Sequence, residues 1–202
     1  MPLTRTLIRR LCRQLLLKGE ALCCYHAYII WSVKMRIYIV GSVASGKSTL
    51  ARQISDKTGI KCFHLDDVVH AKDENSSAGN RKRSPEERDA LFKKIISEDY
   101  VIEDTGRACF VEGLELADKI IVLDIPYRTR AFRIVRRHIR QVFGIEKEGY
   151  RPSLKMVRMM FKWAKNFDTG EDGAKARIEP FPEKTVTLRS AREVKQFLKS
   201  KV

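Results

Sequence analysis

Arg36-Ile37-Tyr38-Ile39-Val40-Gly41-Ser42-Val43-Ala44-Ser45-Gly46-Lys47-Ser48-Thr49-Leu50-Ala51 holds a short β-rich run, a glycine-bounded turn and the start of a helix, in that order. From Gly41 to Ser48 the turn satisfies Gly-x-x-x-x-Gly-Lys-Ser in full. Gly41 and Gly46 let the backbone wrap closely, so that successive N–H groups converge on phosphate oxygens. The helix that follows adds the positive end of its dipole. Lys47 brings a compact cation to the outer phosphates, and Ser48 offers a hydroxyl to Mg²⁺. A chance glycine-rich turn needs no strand directly before it and no helix directly after it. The segment therefore reads as a phosphate cradle for Mg-ATP, formed by Gly41, Ser42, Val43, Ala44, Ser45, Gly46, Lys47, Ser48 and Thr49.

Working outward, Leu50, Ala51, Ile54 and Thr58 fall at helical spacing before a stop at Gly59. Cys62-Phe63-His64-Leu65 reads as a second strand ending at Asp66-Asp67, and the polar stretch 70–83 as an exposed loop. Ser84-Pro85-Glu86-Glu87 forms a capping box that opens a helix, with Leu91, Ile95 and Ile96 on its inner face. Tyr100-Val101-Ile102, Lys119-Ile120-Ile121-Val122-Leu123 and Thr185-Val186-Thr187-Leu188 supply three more strands. Ser190-Ala191-Arg192-Glu193 is a second capping box, opening a last helix with Val194, Phe197 and Leu198 inward. The alternation predicts an α/β fold of the P-loop NTPase kind: a five-stranded parallel sheet, helices on both faces and a small lid. Ligands in such sheets bind at the carboxyl ends of the strands.

Several charged residues fall at those ends. Asp66, after the second strand, can orient a phosphate acceptor or take its proton; with Asp67 it can equally be a solvated turn pair or a cap. Glu103, after the third strand, can hold a water on Mg²⁺ together with Ser48. Asp124 precedes Pro126 and reads as a turn residue. Beyond Pro126, Arg133, Arg136, Arg137 and Arg140 share one side of a helix, with Phe132, Val135, Ile139 and Val142 as apolar anchors. Arginines placed there can close on the phosphates and neutralise charge developing during transfer, Arg133 and Arg137 being the candidates carried forward. A solvated basic face and a nucleic-acid-binding helix are the competing readings. Met156, Met159, Met160, Phe161 and Trp163 read as a packing face, and His64 as a strand residue.

The chain of 202 residues fits one α/β domain, and its formal charge of +15 suits an anionic partner: nucleotide, nucleic acid or anionic membrane. Five cysteines, an odd number with Cys23 and Cys24 adjacent, do not make a disulfide framework and read as reduced thiols in the cytoplasm. No apolar run reaches the ~18 residues that span a bilayer. Residues 1–34 set Arg5, Arg9, Arg10, Arg13, Lys18 and Lys34 against Glu20, followed by an apolar stretch from Ala21 to Trp31. A signal peptide and a transit-like or membrane-surface helix fit this order. The preferred reading is an extension outside the core, because Met35 stands directly before the first strand. The domain boundaries expected are thus 1–34 for the extension and 35–202 for a kinase-like nucleotide-binding domain.

From Met35 onward the chain resembles the DNA topology modulation proteins (FlaR-like), within the adenylate-kinase-like P-loop kinases. The resemblance rests on Met35 through Gly41, Gly46 through Ala51, His64-Leu65-Asp66, Tyr100-Val101-Ile102-Glu103, Ala117 through Pro126, and Leu188 through Val194 with Phe197-Leu198. Where the family often has Asp-Gly after the third strand, this chain has Glu103-Asp104. The resemblance implies ATP and Mg²⁺ as cofactors and a nucleotide or other small molecule as acceptor. It also implies that Pro126, Arg133, Ile134, Val135 and Arg137 match the arginine helix near the phosphates, and that Arg189-Ser190 lies near adenine. Two functions follow: an ATP-dependent kinase, or an ATP-binding regulator associated with nucleic acid that transfers little. A switch GTPase is disfavoured, since the chain has no Asn-Lys-x-Asp motif.

Overall fold

The structure is a computed structural model that describes residues 35–73, 80–145 and 153–200. The expected extension, 1–34, lies outside the described residues. A five-stranded sheet forms the centre: β1 (Arg36–Gly41), β2 (Cys62–His64), β5 (Tyr100–Asp104), β6 (Lys119–Leu123) and β7 (Thr185–Leu188). Their order is β2-β5-β1-β6-β7, and every neighbouring pair is parallel. After β5 the chain crosses β1 to reach β6, so the order reverses beside β1. That reversal opens a crevice at the carboxyl end of β1, where the glycine-rich turn begins.

Alternate residues of the strands serve two cores. Ile37, Ile39, Val101, Ile121 and Leu123 meet α1 (Lys47–Thr58) through Leu50, Ala51 and Ile54, and α8 (Ala191–Ser200) through Phe197. Tyr38, Val40, Ile102, Ile120 and Val122 face the other way, towards Phe92 and Ile96 of α3 (Pro85–Ile96) and Leu114 of α4 (Val111–Glu115). The sheet is buried on both faces, which is why its strands read as continuous apolar runs. Ser84 caps α3 through the reciprocal bonds of a capping box with Glu87. Ser190 accepts from the N–H of Glu193 at the start of α8.

Four local expectations are corrected. The second strand stops at His64, and Leu65–Val69 forms a short helix, α2, so Asp66 and Asp67 sit in its first turn and not at a strand end. The stretch 70–83 is not all loop. His70–Lys72 (β3) and Asn80–Lys82 (β4) pair as a separate antiparallel hairpin. Arg83 ties it down by donating to the carbonyls of Val68 and His70. On α3 the buried aromatic is Phe92, tilted against Phe110, whereas Leu91 is exposed.

The fourth correction concerns α5 (Tyr127–Val142), which packs on α6 (Leu154–Thr169). Phe132, Val135, Ile139 and Val142 are all exposed and anchor nothing. The buried residues of α5 are Arg130, Ile134 and Gln141. Arg130 can be buried because its donors are matched: Nε gives to the Ile125 carbonyl (2.7 Å), Nη1 to the Ala164 carbonyl (3.0 Å) and Nη2 to Asp168 of α6.

Candidate active site

The glycine-rich turn joins the end of β1 to α1 as its sequence requires. Gly46 has φ +103°, a left-handed conformation that glycine takes without strain, while Ala44 holds φ +58° at a steric cost. A Cβ on Gly41 would lie 2.8 Å from Ser45 Oγ and 3.0 Å from the Leu123 carbonyl oxygen. Lys47 Nζ, buried, donates to the Ser42 carbonyl across the turn at 2.9 Å. Burial pulls the Lys47 amine down from its ordinary pKa, against the opposing charges of Glu103, Asp66 and Asp104. The hydroxyls of Ser42 and Ser45 are buried with no hydrogen-bond partner. Orphaned donors inside such a turn suit a ligand rich in acceptor oxygens.

Ser48 Oγ donates to Glu103 Oε1 at 3.0 Å, so these two candidates meet directly. Glu103 is opposite His64 in the β2–β5 register, and His64 Nδ1 reaches the same carboxylate oxygen at 2.8 Å. On its other side His64 Nε2 is 4.0 Å from Cys62 Sγ. The hydrogen bond to Cys62 and then that to Glu103 push the imidazole up to about 10, against a lowering by burial, so His64 carries a charge at neutral pH. Burial would raise the Glu103 carboxyl, but the His64 hydrogen bond and the Lys47 charge outweigh it and hold the acid below its usual range. Glu103 is therefore a fixed carboxylate beside a serine hydroxyl, which is the oxygen-donor chemistry Mg²⁺ requires.

Asp66 projects from the first turn of α2 and pairs with Arg107 Nη2. The other Nη of Arg107 donates to Asp104 Oδ1 at 2.5 Å, and Asp104 Oδ2 also accepts the backbone N–H groups of Gly106 and Arg107. Asp104 is thus a buried anchor for the turn after β5 and aims Arg107 at Asp66. Gly106 is required in that turn: its φ is +88°, and a Cβ there would lie 2.7 Å from Ala174 Cβ. Burial raises the Asp66 carboxyl, but Arg107 and then Lys47 more than offset it and hold it below the ordinary range. A carboxylate so held stays ionised and orients a hydroxyl better than it stores a proton.

The remaining candidates separate. Arg133 Nη1 donates to the carbonyls of Ala44 (3.2 Å) and Ser45 (2.8 Å), so its guanidinium lies against the glycine-rich turn itself. Val43 and Ala44 pack on the cluster of Ile134, Met160 and Ala164, which joins the turn to the α5–α6 pair. Arg137 lines the groove between α5 and α6, beside Ile134, Met156 and Met160. Arg189 is 3.8 Å from Asp124 and lines a cavity of about 290 Å³ at the carboxyl end of β6 and β7, with Lys175 and Thr187. His64, Asp104 and Arg107 escaped the sequence reading. His64 becomes informative only once β2 and β5 are known to be neighbours. Arg107 is 41 residues from Asp66 in sequence, and no local pattern links them.

No protein-family model and no curated protein matches this sequence. Solved structures do match in fold. One is a sugar kinase from a Janibacter species, at 14% identity and TM-score 0.50, covering 82% of this chain and 91% of that one. Another is shikimate kinase from Acinetobacter baumannii in complex with shikimate, at 14% identity and TM-score 0.52, covering 84% of this chain and 92% of that one. The chain shares the α/β fold of these kinases.

Proposed function

We propose that this protein is a kinase that transfers the γ-phosphoryl group of Mg-ATP to an oxygen of a small acceptor, a hydroxyl or, for a nucleotide, a phosphate oxygen. One observation carries the reading. A complete phosphate cradle, with Lys47 buried in it, adjoins two distinct carboxylate sites: Glu103 on the Ser48 hydroxyl, and Asp66 on Arg107. The first suits a metal and the second an acceptor, and a phosphotransferase needs both.

In this reading the N–H groups from Ser42 to Thr49 and the Lys47 ammonium hold the phosphates. Ser48 and Glu103 would hold Mg²⁺, which would supply neutralisation of phosphate charge. Asp66 orients the acceptor hydroxyl, whose oxygen forms the new bond to the γ-phosphorus as the bond to the bridging oxygen breaks. The acceptor proton leaves to solvent water, since Arg107 and Lys47 hold Asp66 ionised. Arg133 acts from the turn, Arg137 from the neighbouring groove, and Arg189 beside the adenine. Positioning and charge neutralisation supply most of the rate. The alternative of a nucleic-acid-binding regulator drew on two basic stretches, Arg81-Lys82-Arg83 and the arginines of 128–140 on α5. Arg130 and Arg133 of that helix are turned inward onto protein carbonyls, which weakens it.

The test is a transfer screen with γ-labelled ATP across nucleosides, nucleoside monophosphates, sugars and small hydroxy acids. Label should move to at least one class, and Lys47→Ala should lose it together with most Mg-ATP affinity while staying folded. An unchanged ATP titration in folded Lys47→Ala would overturn the reading.

A further inference from the structure

The outward side of α5 carries apolar side chains where a solvated helix carries charge. Phe132 (68% exposed), Val135, Ile139 (49%) and Val142 (61%) recur at helical spacing and form one stripe along it, which Phe143 (74%) prolongs. At 16 residues the helix extends about 24 Å. Arg128 and Arg136 are exposed on the same side. On the adjoining α6, Lys155, Arg158 and Lys162 are exposed, beside the half-exposed ring of Trp163. No Asp or Glu occurs from Tyr127 to Ile145 or from Ser153 to Phe167. Among the described residues this surface is therefore apolar along one line and basic around it; the acid of α6, Asp168, lies near the helix's C-terminal end and is paired with the buried Arg130.

Charge selects among occupants. A second copy would bring the same basic surface against itself, and the basic part of residues 1–34 carries the same sign. Duplex DNA or RNA would satisfy the arginines, but would set its phosphates against aliphatic Val135, Ile139 and Val142, which donate no hydrogen bond. An anionic bilayer meets both requirements. Its headgroups take the guanidinium and ammonium groups, and the boundary below them takes the apolar stripe. Tryptophan at the edge of such a surface suits the same interface. We infer that the α5–α6 pair is a docking surface for an anionic lipid membrane. The surface lies on a different side of α5 from Arg130 and Ile134, which pack inward, so docking leaves the fold intact.

The experiment uses the full chain and vesicles of phosphatidylcholine with 30 mol% phosphatidylserine, a composition of order that gives a strongly negative surface. Co-sedimentation should show binding to these vesicles, at least tenfold weaker binding to pure phosphatidylcholine, and a loss as salt rises. Phe132→Ser combined with Ile139→Ser should cut binding about tenfold, with an unchanged melting temperature and unchanged ATP titration. Retained binding in that double variant would overturn the assignment, since some other segment would then hold the vesicles. Equal binding to neutral vesicles would overturn it too. So would a stripe-dependent dimer in sedimentation velocity, or a salt-sensitive complex with duplex DNA that the double variant loses.

Discussion

His64 shows how one residue changes meaning when its neighbour is known. In the sequence it is the last residue of a short strand; in the sheet it is a cation bonded to the acid that touches Ser48. Its pH dependence has a definite sign. The folded imidazole is raised from 6.5 to about 10, by the Cys62 contact first and Glu103 second. The stability it contributes is therefore fully present below about 6.5, the unfolded value, and lost as pH rises through about 10. Urea denaturation should show stability falling from pH 7 to 10, and His64→Gln should flatten that fall. An equal slope in both proteins would remove His64 from the account. The meeting of Ser48 and Glu103 was legible because Ser48 belongs to a recognisable motif and Glu103 stands near a strand's carboxyl end, although β5 runs on through Glu103 to Asp104 and does not stop before it. His64 and Arg107 were not, because strand order and the turn after β5 bring them into place.

Among the elements, α5 is the one whose sequence pattern misleads. An apolar stripe at helical spacing normally marks the buried face, yet here the face that packs carries Arg130, Ile134 and Gln141. Periodicity counts apolar side chains and cannot see that an arginine with three acceptors waiting for it is a satisfied core residue. Arg130→Ala should leave the Ile125 and Ala164 carbonyls without their donor and loosen Asp168 of α6. The expected loss is about 2–4 kcal/mol in urea denaturation. A loss within the scatter of surface substitutions would mean that Ile134 and Met160 alone hold the helix pair. The boundary between β2 and α2 failed for a smaller reason: Leu65 continues the apolar run of the strand but is the first residue of a helix.

For the whole molecule, the parallel sheet was legible because strands buried on both faces are short, apolar and regularly spaced between helices. The hairpin of β3 and β4 was not, since its strands are only three residues each and mostly polar. The described core begins with Met35, whose N–H donates to Asp99 Oδ1 at 2.9 Å, and Arg36, whose N–H donates to Asp118 Oδ2 at 2.7 Å. Among the described residues, both sheet cores draw on side chains from Met35 onward. A chain beginning at Met35 should therefore melt within a few degrees of the full chain and bind ATP with similar affinity. A drop of ten degrees or more in the truncated chain would show that the first 34 residues contribute to the core.

Arg133 touches the carbonyl oxygens of Ala44 and Ser45, and the peptide group that begins with the Ser45 carbonyl ends in the N–H of Gly46. A cation on one end of an amide draws electron density towards itself and leaves the opposite hydrogen more positive. The arginine can thus sharpen the grip of the turn on an anion from behind, through the peptide bond, without meeting that anion. Arg133→Ala should then weaken ATP binding several-fold even without an acceptor, and Arg133→Lys should recover only part of it, because a lysine cannot present the same planar donor to two carbonyls. Full ATP affinity in the alanine variant would restrict the arginine to the transfer step.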